Sequence, residues 1–222
     1  MRDEARVEVL PARVHGRYLI REPESDSRGL LVATHGYGMS AAAMLAEVET
    51  IPGIEAWTVV SIQGLSRFYN TRSQEVVASW MTRQDRELAI ADNITFVSDV
   101  VGRVVEDGTK AGPLVYLGFS QGTAMAYRAA AGVVRPCRGV VALGGDVPPE
   151  LAGRDLARKP RVLIGRGLSD EWYDESKLEA DLQLLDELGW ETEVARFSGG
   201  HEWTDEFRSR CQVFLDSLAQ EG

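Results

Sequence analysis

A chain of 222 residues that is 44% hydrophobic and 26% charged has the apolar content for a packed core and is too ordinary in composition to be disordered, so one domain spanning 1–222 is expected. Its formal charge of −10 disfavours binding to a phosphate backbone, since no basic stripe stands ready to release counterions, and no nucleic-acid partner is expected. No stable membrane insertion is expected, since the composition argues against a membrane span, and the start, Met1 to Arg6, mixes both charge signs without the basic and apolar regions expected of a signal peptide.

Two cysteines, Cys137 and Cys211, are too few for a disulfide framework. Each reads as a small buried apolar residue, and the expected location is cytoplasmic.

In chain order, residues 7–10 alternate apolar and polar, and 12–21 form a second extended run with His15-Gly16 as a turn or bulge inside it. Together they predict an N-terminal antiparallel strand pair. From Gly29 onward the pattern changes to short continuous apolar runs, each followed by a turn and a helix-period segment, the rhythm of a mostly parallel sheet with helices on both faces. Strands are predicted at 30–34, 57–62, 114–117, 139–143 and 161–164, with 193–197 nearer an edge because it alternates.

Helices are predicted at 40–49, 83–107, 121–134, 175–188 and 203–218. The second is the clearest, since Ile90, Ile94, Val97, Val101 and Val104 recur at spacings of four and three; Thr82 with Asp85 resembles a capping box at its start. Gly189 is the expected C-cap of the fourth. The connection 63–81 is long for a compact α/β domain and reads as an insertion forming a lid or a pocket wall.

Gly118-Phe119-Ser120-Gln121-Gly122 falls directly after one predicted strand and directly before an alanine-rich helix, the context that a nucleophile elbow requires. Small residues on either side of Ser120 let strand and helix approach, and the hydroxyl is pushed out at the helix N-terminus. Such a hydroxyl needs a base, and the base needs a carboxylate to fix its tautomer. His201, in the loop between the last strand and the last helix, is where the order serine, acid, histidine puts the base.

His15 reads as a surface or turn residue, and His35 as a structural residue holding the Gly36-Tyr37-Gly38 turn. Two aspartates follow strands, Asp146 and Asp170; the later strand and the glycine-bearing turn favour Asp170 as the acid. The oxyanion donors expected are the backbone N–H of Gln121, after the nucleophile, and that of Tyr37, after an early strand. Phe68, Tyr69, Trp80, Met81, Trp172 and Trp203 lie near predicted strand ends, with Phe68, Trp172 and Trp203 the chosen substrate-binding candidates; Arg67 and Arg72 are candidates for an anionic group. No metal or organic cofactor is required.

These residues resemble the phospholipase/carboxylesterase family, which includes bacterial carboxylesterases and acyl-protein thioesterases. The matching elements are His35-Gly36-Tyr37-Gly38, Gly118-Phe119-Ser120-Gln121-Gly122, Asp170 and Gly199-Gly200-His201, in the family's order. The resemblance implies an α/β-hydrolase fold and a serine hydrolase that cleaves small-molecule acyl esters or thioesters through Ser120, His201 and Asp170. Three features depart from it: Thr123 replaces a second glycine after Gly122, the N-terminal strand pair lengthens the core, and 63–81 does not match the usual connection. A peptidase on the same scaffold and a non-catalytic ligand-binding relative are the rival readings, and a homodimer is left open.

Overall fold

The computed structural model describes residues 5–107, 112–132, 136–154 and 159–220. In chain order its strands are β1 (Arg17–Arg21), β2 (Leu30–Thr34), β3 (Thr58–Gln63), β4 (Ser66–Tyr69), β5 (Val76–Ser79), β6 (Leu114–Phe119), β7 (Cys137–Leu143), β8 (Arg161–Gly167) and β9 (Thr192–Phe197). Its helices are α1 (Ala41–Val48), α2 (Arg86–Glu106), α3 (Gln121–Ala130), α4 (Glu175–Glu187) and α5 (Asp205–Gln220). Seven strands form one sheet in the order β1-β3-β2-β6-β7-β8-β9, while β4 and β5 form a separate hairpin. Every neighbouring pair in the large sheet is parallel except β1 with β3.

The continuous apolar runs follow from burial on both sheet faces. All residues of β2 and β3 are buried, and the two-residue repeat of a strand divides their side chains between two cores. Leu30, Val32, Val60, Ile62, Tyr116 and Val140 face one core, closed by α2, α3 and α4 through residues such as Val97, Met125 and Leu178. Leu31, Ala33, Val59, Val115, Leu117 and Val141 face the other, closed by α1 and α5 through Met44, Val48, Phe207 and Phe214. Cys137 and Cys211 are free and buried, and burial pushes the Cys137 thiol up to about 12.

The antiparallel pair at the N-terminal edge is β1 with β3, Arg17 opposite Gln63 and Arg21 opposite Val59. Residues 7–10 are not part of it: they are irregular, and Val7 and Leu10 are 84% and 86% exposed. Their alternation is too short to bury a face of its own, and a lone hairpin is only marginally stable in water. Residues 1–4, part of the charged start Met1 to Arg6, lie outside the described residues.

Helix boundaries agree with the periodicity within a few residues. The fourth helix ends as expected at Gly189, whose φ is +66°; Gly189 N donates to Asp186 O and Trp190 N to Leu185 O, the paired bonds of a Schellman motif. The capping box before α2 does not form. Asp85, at φ +49°, makes no side-chain cap bond, and Thr82 donates instead to Gln84 O at 3.1 Å. The third helix ends at Ala130, and Val134, where the pattern placed its end, lies outside the described residues.

Among the described residues no helix is long and apolar enough to cross a membrane.

Glycine admits α5 to the sheet at Gly165, where an added Cβ would stand 2.2 Å from the Phe207 ring. Gly165→Ala is therefore expected to destabilise the fold by about 1–3 kcal/mol through overpacking, read from urea unfolding. An unchanged midpoint would show that the ring yields without strain.

Candidate active site

Ser120 joins β6 to α3 with φ 52° and ψ −121°, a conformation that costs a residue with a Cβ about 1–3 kcal/mol. Close packing on both sides holds it there. A Cβ on Gly118 would lie 2.5 Å from Thr123 Cα, and one on Gly122 would lie 2.1 Å from Thr34 O, so strand and helix touch where the side chains are missing. Ser120 N donates to Leu143 O at 2.8 Å, and Ser120 O accepts from Thr123 N at 3.0 Å.

Thr123 also donates its hydroxyl to Ser120 O at 2.7 Å. A Cβ on Gly145 would meet that hydroxyl at 2.1 Å, so the departure from glycine at 123 is accommodated by the glycine at 145. The pairing joins the first turn of α3 to the loop after β7 and is not visible in either stretch of sequence alone.

His201 and Asp170 come together from the loops after β9 and β8. His201 Nδ1 lies 2.9 Å from Asp170 Oδ2, and the carboxylate is almost wholly buried. Its other oxygen accepts from Trp172 N at 2.8 Å and Tyr173 N at 2.9 Å, which leaves the acid no freedom to rotate. A carboxylate on Nδ1 selects the tautomer with the proton there and leaves Nε2 as the basic nitrogen.

Gly144, at φ +65°, packs against this pair, where a Cβ would stand 3.0 Å from His201 Cε1 and 3.3 Å from Asp170 Oδ2. Asp146, the alternative acid, is half exposed and faces Lys177 Nζ at 3.7 Å.

Ser120 and His201 line one concavity of about 340 Å³, together with Gln121, Ala124, Met81 and Trp172 among others. Among the described residues the Ser120 hydroxyl has no hydrogen-bond partner, and such bonds commonly tighten only when substrate is bound.

The Gln121 N–H is the first of α3 and has no partner within the helix. Gly36 abuts Ser120, an added Cβ lying 3.4 Å from Ser120 Cβ. In the turn that follows, Gly38 N donates to Ala78 O and Met39 N to Gly36 O, whereas Tyr37 N has no backbone partner among the described residues. Among the described residues both N–H groups are thus unspent; that of Gln121 adjoins Ser120, and that of Tyr37 follows the glycine that abuts it.

His35 is structural, as its place before the turn suggested. Nδ1 lies 2.7 Å from Gly36 O and Nε2 accepts from Gly64 N at 3.0 Å, and burial lowers its pKa, keeping it neutral.

The insertion 63–81 contains the β4–β5 hairpin, and its second strand is tied down. Ala78 exchanges backbone bonds with Gly38 and Met39, Trp80 Nε1 donates to His35 O at 2.7 Å, and the Gln121 side chain accepts from Trp80 N at 3.0 Å and donates to Met81 O at 3.2 Å. The base of the hairpin is thereby fastened to both the Tyr37 turn and the elbow.

The aromatic candidates divide accordingly. Trp172, 76% exposed, and Met81 line the concavity; Trp80 is fully buried core. Phe68 and Trp203 lie outside its lining, Phe68 against Tyr37 at 5.5 Å and Trp203 between Phe119 and Phe207. Arg67 is engaged with His15 O and lines no part of the concavity, nor does Arg72.

Behind the concavity, Asp181 of α4 accepts from Tyr173 Oη at 2.8 Å and from Val147 N at 3.0 Å, linking the Asp170 loop to the loop after β7. The signal for it was present: Asp181 falls on the buried stripe of its helix with Leu178 and Leu185. Burial pushes its carboxyl up to about 6, with Asp146 adding to the rise and Tyr173, Val147 N and Lys177 opposing it. Among the described residues no cluster of His, Cys, Asp or Glu is arranged to hold a metal.

The model of the Phospholipase/Carboxylesterase family matches residues 15–217. Solved structures share the fold. Esterase PE8 is 22% identical with a TM-score of 0.72, covering 92% of this chain and 100% of its own. The carboxylesterase from Mesorhizobium loti is 20% identical with a TM-score of 0.73, over 90% of this chain and 94% of its own. Arabidopsis thaliana SOBER1 is 17% identical with a TM-score of 0.72, over 86% and 98%. No curated protein matches the sequence significantly.

The Asp181 carboxyl binds its proton more tightly folded than at its ordinary value of 3.8, so its stabilising contribution is full below about 4 and is lost as pH rises through about 6. Asp181→Asn removes this term. The stability of the variant relative to wild type should rise by about 1–3 kcal/mol between pH 4.5 and 7.5, measured by urea unfolding at both; a difference constant with pH would contradict it.

Proposed function

The chain belongs to the phospholipase/carboxylesterase family, and from that premise we propose that it hydrolyses carboxylic esters, thioesters included, by two-step acyl transfer through Ser120. Ser120 Oγ attacks the substrate carbonyl carbon while His201 Nε2 takes its proton. Asp170 keeps the imidazole oriented and balances the imidazolium that forms. As the carbonyl oxygen becomes an oxyanion, it accepts from the N–H groups of Gln121 and Tyr37, held ready by the elbow and by the pinned hairpin.

Collapse of the tetrahedral intermediate breaks the bond to the alcohol or thiol, which leaves with the proton from His201. Water then attacks the acyl-enzyme with His201 again as base, releasing the acid and restoring Ser120. The observation that carries this reading is the 2.9 Å contact of His201 Nδ1 with a buried Asp170 oxygen, on the same concavity as a serine held in the elbow conformation. The backbone donors and the side chains named suffice for every step.

Ser120→Ala should lower kcat for p-nitrophenyl acetate by at least about 10³-fold, and Asp170→Asn by about 10²- to 10⁴-fold, with circular dichroism unchanged in both. Turnover by the Ser120 variant at the wild-type rate would exclude the assignment.

A further inference from the structure

One buried charge in the concavity has no part in acyl transfer. Ser120, Ala124 and Arg128 follow one another at i, i+4 and i+8 on a single face of the helix, and all three line the concavity. Arg128 is only 4% exposed. Its Nε and Nη2 both engage Glu150 Oε1 at 2.7 Å, whereas Nη1 is buried without a hydrogen-bond partner among the described residues.

The N–H groups of a guanidinium are hydrogen-bonded to solvent in water, and leaving those of one nitrogen buried and unspent is costly. Arg86, from the start of α2, lines the same concavity, and its own anionic partner is the exposed neighbour Glu87 at 2.7 Å. Burial and the like charge of Arg86 both act against the Arg128 cation, and Glu150 and Glu87 act for it.

We propose that this end of the concavity is an anion subsite, and that the substrate carries a carboxylate that meets Arg128 Nη1 with Arg86 closing over it. The proposal rests on the acyl-transfer reading above and names the substrate class of that same site. Ala124 is the floor between nucleophile and cation, its small side chain leaving the groove open. Eight residues of helix separate the two Cα atoms by about 12 Å, and the arginine side chain leans back toward the helix N-terminus. The carboxylate therefore sits roughly four to six bonds from the scissile carbonyl. A carboxylate suits the site because a monoanion matches the one guanidinium nitrogen that Glu150 leaves unused.

The test compares matched esters that differ only in the terminal charge. On the acyl side the pair is mono-p-nitrophenyl glutarate against p-nitrophenyl valerate; on the alcohol side it is 4-acetoxybutanoate against butyl acetate. Wild type should favour the carboxylate-bearing member of one pair by roughly tenfold in kcat/KM. Arg128→Gln should abolish that ratio, and Arg86→Ala, a change at a half-exposed residue, should reduce it if the first variant does not fold. Equal hydrolysis of both members in both pairs, or a ratio that survives these substitutions, overturns the subsite alone. Hydrolysis of no member of either pair overturns the acyl-transfer reading along with it.

Discussion

The backbone of Ser120 is held at φ 52° by packing that tolerates no side chain at Gly118 or Gly122, and the rest of the site is arranged around that bend. Strain of this kind persists only where the surroundings over-determine it. Here the surroundings are the last residues of β2 and β7: Thr34 O crowds Gly122, and Leu143 O takes the Ser120 N–H. The bend therefore inherits its rigidity from the centre of the sheet, where β2, β6 and β7 lie side by side. Thr123 adds a side-chain hydrogen bond to Ser120 O, which ties the first turn of the helix to the bend that precedes it.

The other groups reach the bend because every one of them follows the C-terminal end of a parallel strand. The Tyr37 turn follows β2, Gly144 follows β7, Asp170 follows β8 and His201 follows β9, and in open α/β sheets this is the edge where side chains from separate loops converge. Hydrogen bonds between neighbouring loops then remove their freedom. Gly144 N donates to Gly165 O and Ser169 N to Gly199 O, while Asp181 joins the loop after β7 to Tyr173. The hairpin at 66–79 extends the same logic to the Tyr37 turn, so that an insertion read as a lid or a wall is anchored at its base by backbone pairing and by Gln121.

Much of this was legible in the sequence for identifiable physical reasons. Strands buried on both faces leave continuous apolar runs, and six of the seven strands of the large sheet announce themselves that way or by alternation. The elbow is legible because its steric demand is met by glycines at fixed spacing. The run at 7–10 misled because two alternating pairs carry no information about whether a partner exists, and β3 already occupied the inner edge of β1.

Charges within the concavity were harder to see. Arg67 and Arg72, the candidates for an anionic group, lie in the long insertion, yet among the described residues Arg128 and Arg86 are the arginines that line the concavity. Arg128 sits in an alanine-rich helix where a single cation resembles an ordinary solvated residue, and only its burial reveals otherwise. Asp181 could have been noticed as an acid on an apolar stripe, but its partners, Tyr173 and Val147, lie 8 and 34 residues away and become neighbours only once the sheet has formed.

Covalent capture reads directly whether the hydroxyl at the bend is activated. Incubation with a fluorophosphonate followed by proteolysis and mass spectrometry should place one phosphonyl group on Ser120, with labelling slowed when Asp170 is replaced by Asn. A protein that turns over esters while Ser120 stays unlabelled, or that carries the adduct on another residue, would contradict it.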